Sequence, residues 1–282
     1  MTKKEGRPRK GMGEEIKSLT EELKKYDGMD YSEKGEEELK RIGNKLVAIG
    51  KPAVPQLIEV LNEHKWQSSW YAADALGEIG DRRAIPPLAD AIEEPELGEN
   101  AKKALKKFGP VCVPAVIKKV EYRIKNPIKE GRGIDLITAY ALSTIGEIRC
   151  DKSVEFLNKL LDDYMSEMPD EAFDPTKRDW KYRNIDFFHL LNCMVKQQDK
   201  RAIPHIRKAR DFFPENYTDY KMCQIAIGRI KKGRPDEGYL PLEALESALP
   251  SGAIMDALSG GKLGWKDTFD EEYGEYFEDD EE

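Results

Sequence analysis

The residues able to do chemistry in this 282-residue chain are few and scattered. His64 is followed by Lys65, His189 by Leu190 and His205 by Ile206, so no His-Glu dipeptide exists. Three dispersed imidazoles cannot furnish a dinuclear ligand set. Cys112, Cys150, Cys193 and Cys223 form no C-x-x-C pair; thiols placed this way are expected to be small buried hydrophobes of a reducing compartment. The segment "SGGKLGW" lacks the first glycine of a phosphate-binding Walker loop, and no nucleophile elbow occurs. The expectation is a non-catalytic chain with no metal, no cofactor and no small-molecule substrate.

Charge says more. The net charge is −8, but residues 265–282 hold ten acids against Lys266 alone, a net of −9, which leaves the rest of the chain at about +1. Residues 99–134 are net +7 and residues 177–234 net +9. No apolar run approaches the ~20 residues needed to span a bilayer, and "MTKKEGRPRKGMG" has no hydrophobic segment after its charges, unlike a secretory signal. A cytoplasmic chain is expected, away from membranes.

The elements that would position these charges recur. In "WYAADALGEIGDRRAIPPLADAIEE" (70–94), Ala72, Ala73, Ala75, Leu76 and Ile79 make one helical face that stops at Gly80. Pro86 and Pro87 then open a second helix with Ile85, Leu88, Ala89 and Ile92 on its apolar stripe. The same unit is read at 44–63 (Gly50, Pro55), 101–120 (Gly109, Pro114), 139–161 (Gly146 as the stop, Glu155 in place of proline) and 179–213 (Pro204, after a longer first helix). Residues 218–233 read as a terminal half-repeat, with insertions at 126–134 and 165–178.

At these residues the chain resembles the HEAT repeat family, specifically the short bi-helical PBS-lyase HEAT-like repeats, whose A-L-G-x-I-G-D…A-[VI]-P-x-L pattern is matched by "ALGEIGDRRAIPPL" and "VAIGKPAVPQL". The resemblance covers roughly 36–233 and implies an all-α fold: an α-solenoid, a right-handed superhelix of HEAT-like helix pairs. Around it we expect a basic N-terminus (1–12), a capping helix (13–35) and a C-terminal cap (234–264, with Leu242, Leu245 and Leu249 at near-helical spacing). Residues 265–282 form an acidic-aromatic tail.

Some members of this wider family are enzymes. Deoxyhypusine hydroxylases carry His-Glu pairs, absent here, and bilin lyases offer no short motif to carry over. HEAT-like DNA glycosylases use tryptophan, aspartate and arginine, and Trp180, Arg183 and Asp186 stand at i, i+3 and i+6. Three common residues at helical spacing are a weak signal beside an ordinary packed tryptophan.

Counting four residues on from each proline, or its equivalent, gives Glu59, Asp90, Lys118, Lys159 and Lys208, all opposite the apolar stripe. The family resemblance places second helices on the concave surface, so these five would form a row that turns from acidic to basic. Lys118, Lys119, Arg123, Lys159, Arg207, Lys208 and Arg210 are the candidate members of a basic binding groove. Arg207 and Arg210 stand where other repeats have apolar residues, which leaves that helix's register open. In the tail, Trp265, Phe269, Tyr273, Tyr276 and Phe277 interrupt the acids at near-helical spacing. Such a segment is too charged to fold alone and has the chemistry to dock on a basic surface. The expected function is a scaffold that binds a protein partner. The alternative is a nucleic-acid binder with the tail as internal competitor, and an enzyme comes third.

Overall fold

The structure, a computed structural model, describes residues 11–27, 33–63, 65–94, 96–126, 136–168, 185–213 and 218–235. Among these the regular elements are helices: α1 (Met12–Lys24), α2 (Glu33–Ile49), α3 (Val54–Asn62), α4 (Trp66–Ile79), α5 (Ile85–Ala91), α6 (Gly98–Phe108), α7 (Val113–Lys125), α8 (Leu136–Glu147), α9 (Asp151–Ser166), α10 (Phe187–Gln197), α11 (Ile203–Arg210) and α12 (Thr218–Lys232). The chain divides into two units, residues 1–119 and 120–282.

In the first unit α4 packs between α2 and α6, and α3 packs on α5, so first helices stack on first helices and second on second. In the second unit α10 packs between α8 and α12, and α11 sits on α9 and α12. This is the stacking of an all-α solenoid, in which no helix pair buries its apolar stripe unaided. Ala72, Ala73, Leu76, Leu88 and Ile92 are buried as the spacing predicts, as are Leu57, Leu61, Leu105 and Val116 in neighbouring repeats. α1 covers the first repeat with Ile16, Leu19 and Leu23. Asp27, just beyond it, accepts from Ser68 N (2.9 Å) and Ser68 Oγ (2.7 Å) in the first turn of α4. A helix with no capping side chain of its own is thus capped from 41 residues away.

The turns between paired helices explain the punctuation. Gly50, Gly80 and Gly109 all have positive φ (77°, 68° and 64°), the conformation that ends a helix most cheaply when no Cβ is present. A 3-10 turn follows each, and a proline then sits in the first turn of the second helix.

Gly146 is different, and here the reading of it as a stop is corrected. α8 runs through it without positive φ, and a Cβ there would lie 2.7 Å from Cys193 Cβ on α10. Its counterpart is Gly77, three residues before the true stop, where a Cβ would lie 2.9 Å from Ala104 Cα on α6. Both glycines let first helices of adjacent repeats touch backbone to side chain. At the end of α8 the carbonyls of Ile145, Gly146 and Ile148 accept from Gln197 Nε2 of the next repeat, at 2.8, 2.8 and 3.1 Å.

The register of α11 is settled as well. Ile203, Ile206 and Ala209 are buried. Arg207 is half-buried, and Arg210 takes the place of Ile92 with its guanidinium on Asp211 (2.9 Å) and over the Tyr220 ring (5.6 Å from its centre).

Candidate binding surface

Two of the residues with catalytic potential are engaged in holding helices together. Asp186 is the N-cap of α10, accepting from His189 N at 2.7 Å; Trp180 and Arg183 lie outside the described residues, as does His64. His189 Nε2 lies 3.2 Å from Ser143 Oγ and 3.1 Å from Ala139 O. All four cysteines are free thiols; Cys112, Cys193 and Cys223 are buried, and burial pushes the Cys223 thiol well up. Cys150 is half-buried, with Sγ 3.3 Å from Ser153 Oγ. Among the described residues, no group of three His, Cys, Asp or Glu side chains could hold a metal ion. No helix there is long and apolar enough to cross a membrane.

In the first unit, two clefts of about 350 and 260 Å³ flank Tyr71 and Asp74 on the first-helix side. Their charges are largely paired: Lys107 reaches Asp74 (2.5 Å) and Glu78 (2.9 Å). Burial alone would lower the Lys107 amine, but hydrogen bonds to these two carboxylates hold it above its usual range.

The turns carry a second recurring constellation. Asp81 accepts from Arg83 N and binds the Arg83 guanidinium through both oxygens (3.0 and 2.9 Å), while Arg83 Nη2 also donates to Lys51 O of the preceding repeat (3.1 Å). In the second unit Asp199 holds Arg201 in the same fork, and Arg201 Nη2 reaches Asp151 Oδ1 of the preceding repeat (2.7 Å). The arginine hydrogen bonds hold both aspartates below the usual carboxylate range. These arginines are inter-repeat staples.

The five positions four residues past the proline are all exposed: Glu59, Asp90 and Lys118 on α3, α5 and α7, and Lys159 and Lys208 on α9 and α11. Of the seven candidate basic residues, Arg210 is already on Asp211, and the other six divide by what they touch. Lys119 is consumed, with Asp90 at 2.5 Å and Glu93 at 3.2 Å. Arg123 also has a partner. Lys118, Lys159 and Arg207 carry no ion pair among the described residues. Lys208 is 71% exposed and only 4.0 Å from Asp162, which His205 Nδ1 already holds at 2.8 Å. Trp265, Phe269, Tyr273 and Phe277 lie outside the described residues.

One pair of surface residues escaped the sequence reading. Tyr122 and Phe212 are 54% and 43% exposed, and with Val111 they are the large apolar side chains exposed among the described residues. Each stands eight residues past its repeat's proline, one turn beyond Lys118 and Lys208 respectively; the first two repeats have Glu63 and Glu94 there. Extending the count by one turn would have found them.

The fold is that of an all-α helical repeat. Residues 70–94, which hold the Gly77 joint, the Gly80 stop and the Asp81–Arg83 staple, match the family model of the PBS lyase HEAT-like repeat. No curated protein matches the chain.

Proposed function

We propose that the chain is a non-catalytic scaffold that binds a protein partner through the exposed side of its second helices. The observation that carries this reading is the inventory of charges there. Lys118, Lys159 and Arg207 are free of ion pairs among the described residues and Lys208 is nearly so, whereas Arg83, Lys107, Lys119 and Arg201 bond to the preceding repeat. Solenoids use such repeated surfaces for extended partners. The engagement of Asp186 as a helix cap and of His205 with Asp162 supports a role without catalysis.

A protein partner suits the surface better than nucleic acid. Glu155, Asp162 and Asp163 share α9 with Lys159, and Glu121 shares α7 with Lys118, so cations alternate with acids and do not track a phosphate backbone. Nucleic-acid binding gains affinity from each phosphate neutralised, which gives a steep fall with log salt. The test is affinity capture from a native lysate with the wild-type chain and with Lys118→Glu/Lys159→Glu/Lys208→Glu. The expected result is a protein retained by the wild type, lost by the triple variant and indifferent to nuclease. Equal capture by both chains, or nuclease-sensitive capture, would overturn the proposal.

A further inference from the structure

We infer that the surface formed by Arg207, Lys208 and Phe212 on and just after α11 is a docking site for the chain's own acidic-aromatic segment, residues 265–282. The inference rests on the reading of the second-helix side as a binding surface and names one occupant for it.

A single exposed phenylalanine on a protein surface needs no explanation. Two features set Phe212 apart. Its position recurs: Lys118 and Tyr122 on α7 repeat the arrangement of a lysine followed one turn later by an exposed aromatic, where the first two repeats have two acids. And its ring is packed: it stands edge-on to Phe213 (5.5 Å), which is buried and itself edge-on to Phe187 (5.4 Å). An exposed aromatic packed on a buried one, beside Arg207 with no ion pair and Lys208 at 4.0 Å from Asp162, offers a second ring apolar contact and an anion a partner.

The chemistry that fits this surface is an aromatic ring bordered by carboxylates. Residues 265–282 offer it repeatedly: Phe269 beside Asp270, Tyr273 beside Glu272 and Phe277 beside Glu278, within a net charge of −9. The ring supplies apolar contact that exposed ion pairs, worth about 0–1 kcal/mol each, do not. Connection favours α11 over α7. Twenty-nine residues (236–264) separate the segment from the last described position, which lies just past α12. Those residues can span at most roughly 100 Å, several times the ~22 Å length of a 15-residue helix such as α12, which packs on α11. A tether of this kind gives a local concentration on the order of millimolar, enough for a weak site to be occupied. On α7, by contrast, Lys119 beside Lys118 is already held by Asp90 and Glu93.

The experiment uses the full chain with a photoreactive benzophenone residue in place of Phe269 or, separately, Phe277, irradiated at low micromolar concentration. The adducts are then mapped. Adducts are expected within 203–213 of the same chain, and Lys208→Glu and Phe212→Ala should each cut their yield about fivefold. Added salt should lower the yield further. Lys208 is exposed, so Lys208→Glu keeps the test valid even where Phe212→Ala disturbs folding. Adducts elsewhere, adducts only between isotopically distinguished chains, or yields unchanged by Lys208→Glu would overturn the inference. Failure of partner capture with intact tail cross-linking would instead sink the scaffold reading alone.

Discussion

The two units solve the same joint with different residues. In the first, Gly77 admits Ala104 and Arg83 is anchored on a backbone carbonyl, Lys51 O; in the second, Gly146 admits the larger Cys193 and Arg201 is anchored on a carboxylate, Asp151. Along the second helices the difference is larger. Lys119 of the first unit is wedged between two carboxylates, while in the second Asp162 is shared by His205 and a distant Lys208, so that Lys159, Arg207 and most of Lys208 remain open. What repeats is the packing geometry. What varies is how many charges the packing leaves over, and only the leftover charges can meet a partner.

The largest expected effect tests whether the joints are equivalent. Leu76 and Ile145, each just before its joint glycine, are fully buried. Leu76→Ala and Ile145→Ala should each cost about 2–5 kcal/mol, as for other core truncations, measured by urea unfolding. A negligible loss for Ile145→Ala would break the equivalence of the two units.

Next comes the joint itself. Gly77→Ala and Gly146→Ala should each cost about 1–3 kcal/mol through overpacking, because the added methyl meets Ala104 Cα or Cys193 Cβ inside 3 Å. Adding Cys193→Ala to Gly146→Ala should recover only part of the loss, since Cys193 Cα would still lie 2.8 Å from the new methyl. Full recovery would mean that the sulfur alone sets the spacing.

The smallest effect sharpens the contrast in charge. Burial, with the neighbouring Asp186 charge, raises Asp219 at the start of α12 to about 6, against an ordinary 3.8. The folded state therefore binds this proton more tightly than the unfolded state. The resulting stabilisation is present at low pH and is lost as pH rises from about 4 through 6. Asp219→Asn should thus raise stability at pH 7.5 by on the order of 1 kcal/mol, and the gain should shrink at pH 4.5. Urea midpoints at the two pH values check it, and an equal gain at both would show that the carboxylate is ionised throughout.

Much of the fold was legible because the punctuation is local. Glycines 50, 80 and 109 and prolines 55, 86, 114 and 204 act through their own φ angles or missing N–H groups, and they mark helix ends wherever they stand. Gly146 misled for an instructive reason. It stands nine residues before Glu155, whereas Gly50, Gly80 and Gly109 stand five or six before their prolines, and a glycine inside a helix looks like one ending it until a neighbour's Cα is seen 2.8 Å from where its Cβ would be. In the fifth repeat the stop position holds Gln198, the same left-handed turn (φ 53°) made without a glycine.

By itself, then, the amino-acid sequence determined the all-α repeat, the buried stripe and the five exposed positions four residues past each proline, because periodicity and backbone preference are properties of short segments. Only the tertiary structure decided which cations are free. Lys118 and Lys119 are adjacent and identical in type, yet one is open and the other holds Asp90 and Glu93. Electrostatic availability depends on what a neighbouring repeat places within about 4 Å, and that distance is set by stacking, which no single segment encodes.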